Sequence, residues 1–296
     1  MISIDVVGIG ENSVDLVYRV PQLAGAGDKV RATNCRRLLG GQVATALCTC
    51  ASLGLRTRYL GTFGNDEHGR LIRAELEQRG VDTTPSSVRY APNRHAVILV
   101  DERTAERTVV WQRDPALALR REHVTSEPLA GARLLHVDNV DEDAAIAAAR
   151  LGREAGLIVT TDIDQIGEQT PVLIAAATFP ILADRVPQAL TGETDPARAL
   201  RAMRNQHQGM LCVTLGAKGS MLLVDGELYE APAFPIETVD TTGAGDVFRG
   251  ALMFSLLRGD RPETMLRFAN AAAAVSCTRE GAIAGVPTIE EIRRIL

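Results

Sequence analysis

Residues 240–246, "DTTGAGD", stand where a β-branched run gives way to a helix-like one. A helix opening at Gly243, Ala244 and Gly245 presents main-chain N–H groups without helical partners, at the positive end of its dipole. Glycines let an anion approach those groups with no Cβ in the way. Such a nest suits the charge that develops on a transferring phosphoryl group. Asp246 follows in the first turn, where its carboxylate can reach an acceptor hydroxyl and take its proton. The bland alternative is a helix start in which Asp246 only complements the dipole. Neither the second glycine nor the paired threonines are needed for that, so the phosphoryl reading is preferred.

Alternating elements must position this corner. "ISIDVVGI", residues 2–9, reads as a buried strand, "GGQVATALCTCASLG" as a helix ending at Gly54, and "TRYLGTFG" as a strand. "NDEHGRLIRAELEQRG" reads as a helix with Asp66 as N-cap. From residue 133 strands and helices alternate regularly, "SMLLVDGELYEA" forms a hairpin turning at Asp225 and Gly226, and helices cover 244–258, 262–279 and 288–295. The pattern predicts an α/β fold with a doubly wound, mainly parallel sheet flanked by helices, which binds ligands beyond the carboxyl ends of its strands. Part-polar segments at about 14–37 and a hairpin within 94–112, with "DERTAE" at its turn, have no place in that sheet. They are read as a small β-sheet lid inserted into a single 296-residue domain.

Composition excludes several classes. The net charge of -5, the scattered basic residues and an aromatic content of 4% argue against nucleic acid and anionic membranes as partners. No apolar run approaches a membrane-spanning length and no signal peptide is visible, so a cytoplasmic location is expected. Cys35, Cys48, Cys50, Cys212 and Cys277 are odd in number and irregularly spaced, and read as reduced, small core residues.

"DTTGAGD" matches the C-terminal signature of the ribokinase family, the phosphofructokinase-B type of carbohydrate kinases. "GGQVATALCTCASLGLRTRYLGTFGNDEHG" resembles its N-terminal signature, with Gly40, Gly41, Ala44, Gly54, Gly61, Gly64, Asp66 and Gly69 in matching places. The order of strands, lid and helices also fits, so the resemblance spans nearly the whole chain. It implies that Asp246 is the catalytic base and that Gly243, Ala244 and Gly245 are the anion hole. It implies that Asp15, Gly40, Gly41 and Gln42 bind the sugar; read alone, Asp15 is equally a surface turn residue. "VTLGAKGS" resembles the nucleotide segment, with Thr214, Gly216 and Gly219 along the phosphates and ribose. "FANAAAAVSCTREGAIAG" resembles the adenine wall, with Asn270 and Ala273 as contacts and Gly281 in the following loop. An alanine stripe can also be plain helix packing. A monovalent cation, K+ in many relatives, is implied beside Asp240 and Thr242.

The chain also departs from the family. Thr45 stands where Asn is frequent. The usual Asn-x-x-Glu segment that arranges hydrated Mg2+ is replaced by Ala183 and Val186. Asp184 is the nearby carboxylate; it acts through water, as in ketohexokinase-like relatives, or ATP itself holds the metal. Asp162 and Asp164 in "TTDID" are further carboxylates at a strand end, equally explained as capping residues. Arg249 is read as packed or solvated rather than as a phosphate ligand. "GIGENS" lacks the third dinucleotide-binding glycine and no helix follows it, so nicotinamide binding is not expected. The resemblance therefore implies an ATP-dependent kinase acting on a primary hydroxyl of a small sugar or sugar derivative, paired as a homodimer through lid edges. The alternatives are a nucleoside kinase, for which the lid region offers the rings of Tyr18, Tyr90 and Trp111, and a sugar-binding protein without turnover.

Overall fold

In the computed structural model, which describes residues 4–104 and 106–296, strand–helix alternation closes into the expected parallel sheet. Its order is β11 (Ile158–Asp162), β10 (Leu134–Asp138), β1 (Val6–Ile9), β4 (Thr57–Leu60) and β6 (Val81–Asp82). Every pairing in it is parallel. The central strands are buried on both faces, which explains their near-continuous apolar runs. Val6 joins one core with Leu47, Leu134 and Leu252, while Val7 joins the other with Leu135, Ile146 and Ile174. The period-2 alternation of a strand thus divides the core into the two layers of a doubly wound fold.

A second sheet, β12 (Ile181–Ala183), β13 (Leu211–Thr214), β14 (Ser220–Val224) and β15 (Glu227–Ala231), extends the first. The join is thin: the isolated bridges Thr160 to Phe179 and Ile163 to Leu182. The β14–β15 hairpin turns where expected, with Asp225 and Gly226 both at positive φ, 50° and 86°.

The segments assigned to the lid form one four-stranded sheet in the order β3 (Asn34–Gly40), β2 (Ser13–Val20), β8 (His95–Asp101) and β9 (Arg107–Gln112). Strand β9 is exposed along its length, with Val109, Val110 and Trp111 facing out. Ala105, within the expected turn, and positions 2 and 3 of the first expected strand lie outside the described residues. Three features were not foreseen: the small sheet of β5 (Thr62–Gly64) and β7 (Ser87–Arg89), and the run of short 3-10 turns between residues 115 and 129. The third is Cys35, which is exposed because it lies on the uncovered strand β3. Cys48, Cys50 and Cys212 are buried as expected, and Cys277 is half-buried.

The helices are α1 (Gln42–Ser52), α2 (Glu67–Gln78), α3 (Glu142–Glu154), α4 (Thr170–Ala176), α5 (Arg185–Thr191), α6 (Pro196–Met203), α7 (Ala244–Arg258), α8 (Pro262–Ser276) and α9 (Ile289–Ile295). Asp66 caps α2 by accepting Gly69 N–H at 2.9 Å. Helix α7 is buried between α1 and α8; a Cβ at Gly250 would stand 2.6 Å from Ala46 O, so small residues set this close crossing. Among the described residues, no helix is long and apolar enough to cross a membrane.

Candidate active site

Two cavities meet at the N-terminus of α7. The first, about 660 Å³, is lined by Asp15, Gly40, Gly41 and Gln42 together with Thr242, Gly243 and Asp246. All four residues implied for the sugar therefore share one space with the implied base. Asp15 is carried by β2, and the chain passes from β3 through Gly40 and Gly41 into α1. Gly41 has φ 104°, and a Cβ there would fall 2.4 Å from Asn12 Cα, so only glycine makes this turn against the loop after β1.

The second cavity, about 620 Å³, is lined by Thr214, Gly216, Gly219, Asn270 and Ala273, and by Thr241, Ala244 and Gly245. Phe234, Ile236 and Phe248 add apolar walls that the sequence reading did not single out. Gly216 leaves open space beside its backbone, whereas Gly219 is packed against Ala231 O. The side chain of Asn270 is committed to the fold: it accepts from Ser220 Oγ at 3.0 Å and donates to Ala231 O at 3.0 Å and Pro232 O at 3.1 Å. It shapes this wall by fixing the exit of β15. Gly281 is not part of the cavity; it lies against Leu38 and donates its N–H to Asp240 at 2.9 Å.

The Gly-Ala-Gly turn forms the partition between the two spaces, with Gly243 on one side and Ala244 and Gly245 on the other. Gly243 is the N-cap of α7 with φ 78°, and no side chain caps the helix. The Ala244 N–H turns back to Thr241 O at 3.2 Å, so Gly245 and Asp246 carry the first-turn N–H groups left for a ligand.

Asp246 opens onto the first cavity but stands deep in the protein. Burial raises its carboxyl well above the usual carboxylate range, the neighbouring Asp162 charge pushes the same way, and Arg249 opposes both. Asp15 is also raised by burial, with Arg94 opposing. At this edge Arg94 Nε lies 2.8 Å from Glu11 Oε1, and Arg113 binds Asp141 through two hydrogen bonds of 2.9 and 2.6 Å. Glu11, Arg94 and Arg113 line the cavity and were missed, because isolated charged residues in "GENS", "NRHA" and "QRDP" have no distinguishing pattern. Trp111 lines it too, but its ring is covered by the Arg94 guanidinium at 5.8 Å; Tyr90 is 95% exposed and Tyr18 does not line the cavity.

The cation residues fare differently. Asp240 Oδ1 accepts Thr242 N–H at 2.9 Å and its hydroxyl at 2.7 Å, while Oδ2 accepts Gly281 N–H. These contacts hold its carboxyl below the usual range despite partial burial. Both oxygens thus already serve the loop. Asp184 is exposed and borders a separate, smaller cavity with Leu215 and Lys218, away from the glycine turn. Among the described residues, no group of three or more His, Cys, Asp or Glu side chains could hold a metal. The carboxylates implied for Mg2+ therefore do not gather into such a cluster.

Two cavities meeting at one helix N-terminus give room for two ligands side by side. The pfkB family carbohydrate kinase model matches residues 3–289, and the chain belongs to that family. It is 26% identical to fructokinase-2 of Oryza sativa subsp. japonica, over 98% of this chain and 93% of the relative. A putative ribokinase from Agrobacterium tumefaciens superposes with a TM-score of 0.91 at 26% identity, covering 99% of this chain and 97% of that one. Arabidopsis thaliana ribokinase, solved with ribose and ATP, gives 0.86 at 25%, covering 99% of both chains. The protein is a carbohydrate kinase with the ribokinase-like fold.

Proposed function

We propose that this chain uses ATP to phosphorylate a primary hydroxyl of a small sugar, with Asp246 as the base and the Gly243, Ala244 and Gly245 turn as the anion hole. The observation that carries this reading is the partition: one helix N-terminus separates a polar, carboxylate-lined cavity from a largely apolar one. The sugar lies on the Asp15 side, where carboxylates accept vicinal hydroxyls. ATP lies on the Thr214 side, with its γ-phosphoryl at the turn; that the Arabidopsis relative was solved with both ribose and ATP supports a site for two such ligands. The acceptor oxygen bonds to the γ-phosphorus as the bond to the β–γ bridging oxygen breaks. That oxygen keeps the electron pair and leaves with ADP, while the hydroxyl proton passes to Asp246. Magnesium accompanying ATP would supply charge neutralisation. The β2–β3–β8–β9 sheet acts as a lid that excludes water as a competing acceptor.

A coupled ADP-release assay over sugars and nucleosides tests the reading, with Asp246→Asn as control. Sugar-dependent turnover lost in the variant supports it. Turnover with nucleosides alone, or sugar binding without turnover, overturns it. The single cavity-lining lid ring is already stacked by Arg94, which favours sugars over bases.

A further inference from the structure

Behind Asp246 lies an ion pair that the proposed reaction does not yet use. Arg249 follows Gly245 by four residues and Asp246 by three on α7, and helical side chains lean back over the preceding turn. Its guanidinium therefore covers Gly245: a Cβ there would fall 2.8 Å from Nη1. Nη2 lies 2.9 Å from Asp162 Oδ1, and the two side chains are only 3% and 1% exposed. Gln42, from α1, donates Nε2 to the same oxygen at 3.1 Å. Asp162 stands close enough to Asp246 for their charges to interact and for the two carboxyls to share a hydrogen bond. Such a bond needs a proton on one of them.

This cluster is poorly explained as core. Arg249 Nε and Nη2 and Asp162 Oδ2 are buried and complete no hydrogen bond with the chain. Buried ion pairs contribute little net stability compared with apolar packing of the same volume. On the reading that Asp246 is the base, we propose that Asp162 and Arg249 are its positioning residues. Asp162 orients the Asp246 carboxyl and strengthens its hold on a proton, and Arg249 limits that strengthening.

The surroundings leave few other charges to do this. The end of β11 contributes Asp162 and Asp164, and α7 contributes Arg249. Asp15 of the lid shares the cavity. Helix α1 has no acidic or basic residue, and α8 has Glu263 and Arg267, both in its first half. Beneath Arg249, His136 of β10 is held neutral, pushed down to about 3 by burial and by the guanidinium. A base whose proton affinity moves toward neutral pH is a better acceptor for an alcohol proton than an ordinary aspartate.

The test compares Asp162→Asn, Arg249→Met and Arg249→Lys, with protein labelled at the aspartate γ-carbon and no ligand present. The Asp246 resonance is identified by its loss in Asp246→Asn. Its titration midpoint is expected to fall by about one pH unit or more in Asp162→Asn, to rise by a similar amount in Arg249→Met, and to return toward wild type in Arg249→Lys. The acid limb of kcat/KM, with ATP and D-fructose or D-ribose, is expected to move in the same opposite directions. Midpoints that stay fixed, or that move the same way in Asp162→Asn and Arg249→Met, overturn the proposal. If Arg249→Met fails to fold, a midpoint unmoved in Asp162→Asn still overturns it. Absence of sugar turnover in wild type counts against the kinase reading alone, since the ligand-free titration still decides the pair.

Discussion

The carboxylate of Asp240 accepts the main-chain N–H of Gly281 at 2.9 Å, so the loop that leads into the glycine turn is tied to the loop that follows α8. The same pair of loops is sealed by Gly243 packing on Ala282. The glycine turn is therefore held from two sides, by hydrogen bonds to Asp240 and by contact at Gly243.

Asp240→Ala removes three acceptor contacts at a part-exposed carboxylate. A loss of about 1–2 kcal/mol is expected, since hydrogen bonds to charged groups are partly screened there. Calorimetry should show a Tm lower by a few degrees, and initial rates should show a raised KM for ATP. An unchanged KM would count against the tie as a support of the donor side.

Gly243→Ala places a side chain at φ 78°, with its Cβ 2.4 Å from Ala282 Cβ. The left-handed conformation alone costs about 1–2 kcal/mol. Gly54→Ala is the matched control, because φ there is 92° and nothing lies within 4 Å. Denaturant titrations should show Gly54→Ala losing only the conformational cost and Gly243→Ala losing more, and only Gly243→Ala should lose kcat.

Asp246→Asn separates activity from stability. The amide cannot take the acceptor proton, so kcat should fall by about 10²–10⁴. It also removes a carboxyl that is raised in the native state and therefore costs stability at neutral pH, so the melting temperature there should rise rather than fall. A variant that is both inactive and markedly less stable would point to a structural role for Asp246.

The pH dependence of stability follows from the buried acids. Asp138, Asp162 and Asp246 have carboxyls raised by burial above their unfolded values. The native state then holds protons that the unfolded chain has released, so stability falls as pH rises from the ordinary carboxylate range toward those raised values. The lowered carboxyls of Asp82 and Asp240 act oppositely, losing their contribution as pH falls below about 4. His136, held below its unfolded value, opposes this up to about pH 6.5, so thermal melts of the ligand-free protein should show Tm decreasing most clearly between about pH 6.5 and pH 8. A Tm that increases over that interval would contradict the assignment of these groups as raised.

The exposed β9 invites pairing between two copies. Val110 is 64% exposed and Trp111 is 62% exposed on this edge. Light scattering is expected to show a dimer that Val110→Arg dissociates; a wild-type monomer at working concentration removes the idea.

Much of this was legible in the sequence because local signals and the global fold agree. Alternating periodicity located the parallel strands, and the Asp66 cap, the Asp225–Gly226 turn and the start of α7 each have residue types with one local solution. What could not be read was contact across distant segments. Asp162 looked like a capping residue because its partners, Gln42 and Arg249, are 120 and 87 positions away. Asn270 had the right position for the nucleotide wall, yet its amide bonds to Ser220 and to the chain after β15, which no spacing rule reveals. Asp184 failed in the other direction: it follows a strand as expected, but the helix after it leaves it exposed and away from the glycine turn.

The two bridges that link β11 to β12 have a longer reach than their size suggests. The first cavity is lined mainly from the first sheet and the lid, the second from the second sheet and α8, and α7 contributes to both. The linings of the two pockets therefore come largely from different elements, although both hydrophobic cores run under both sheets. A lineage built on this plan can explore new acceptors while its chemistry stays in place, consistent with ribokinase and fructokinase sharing it.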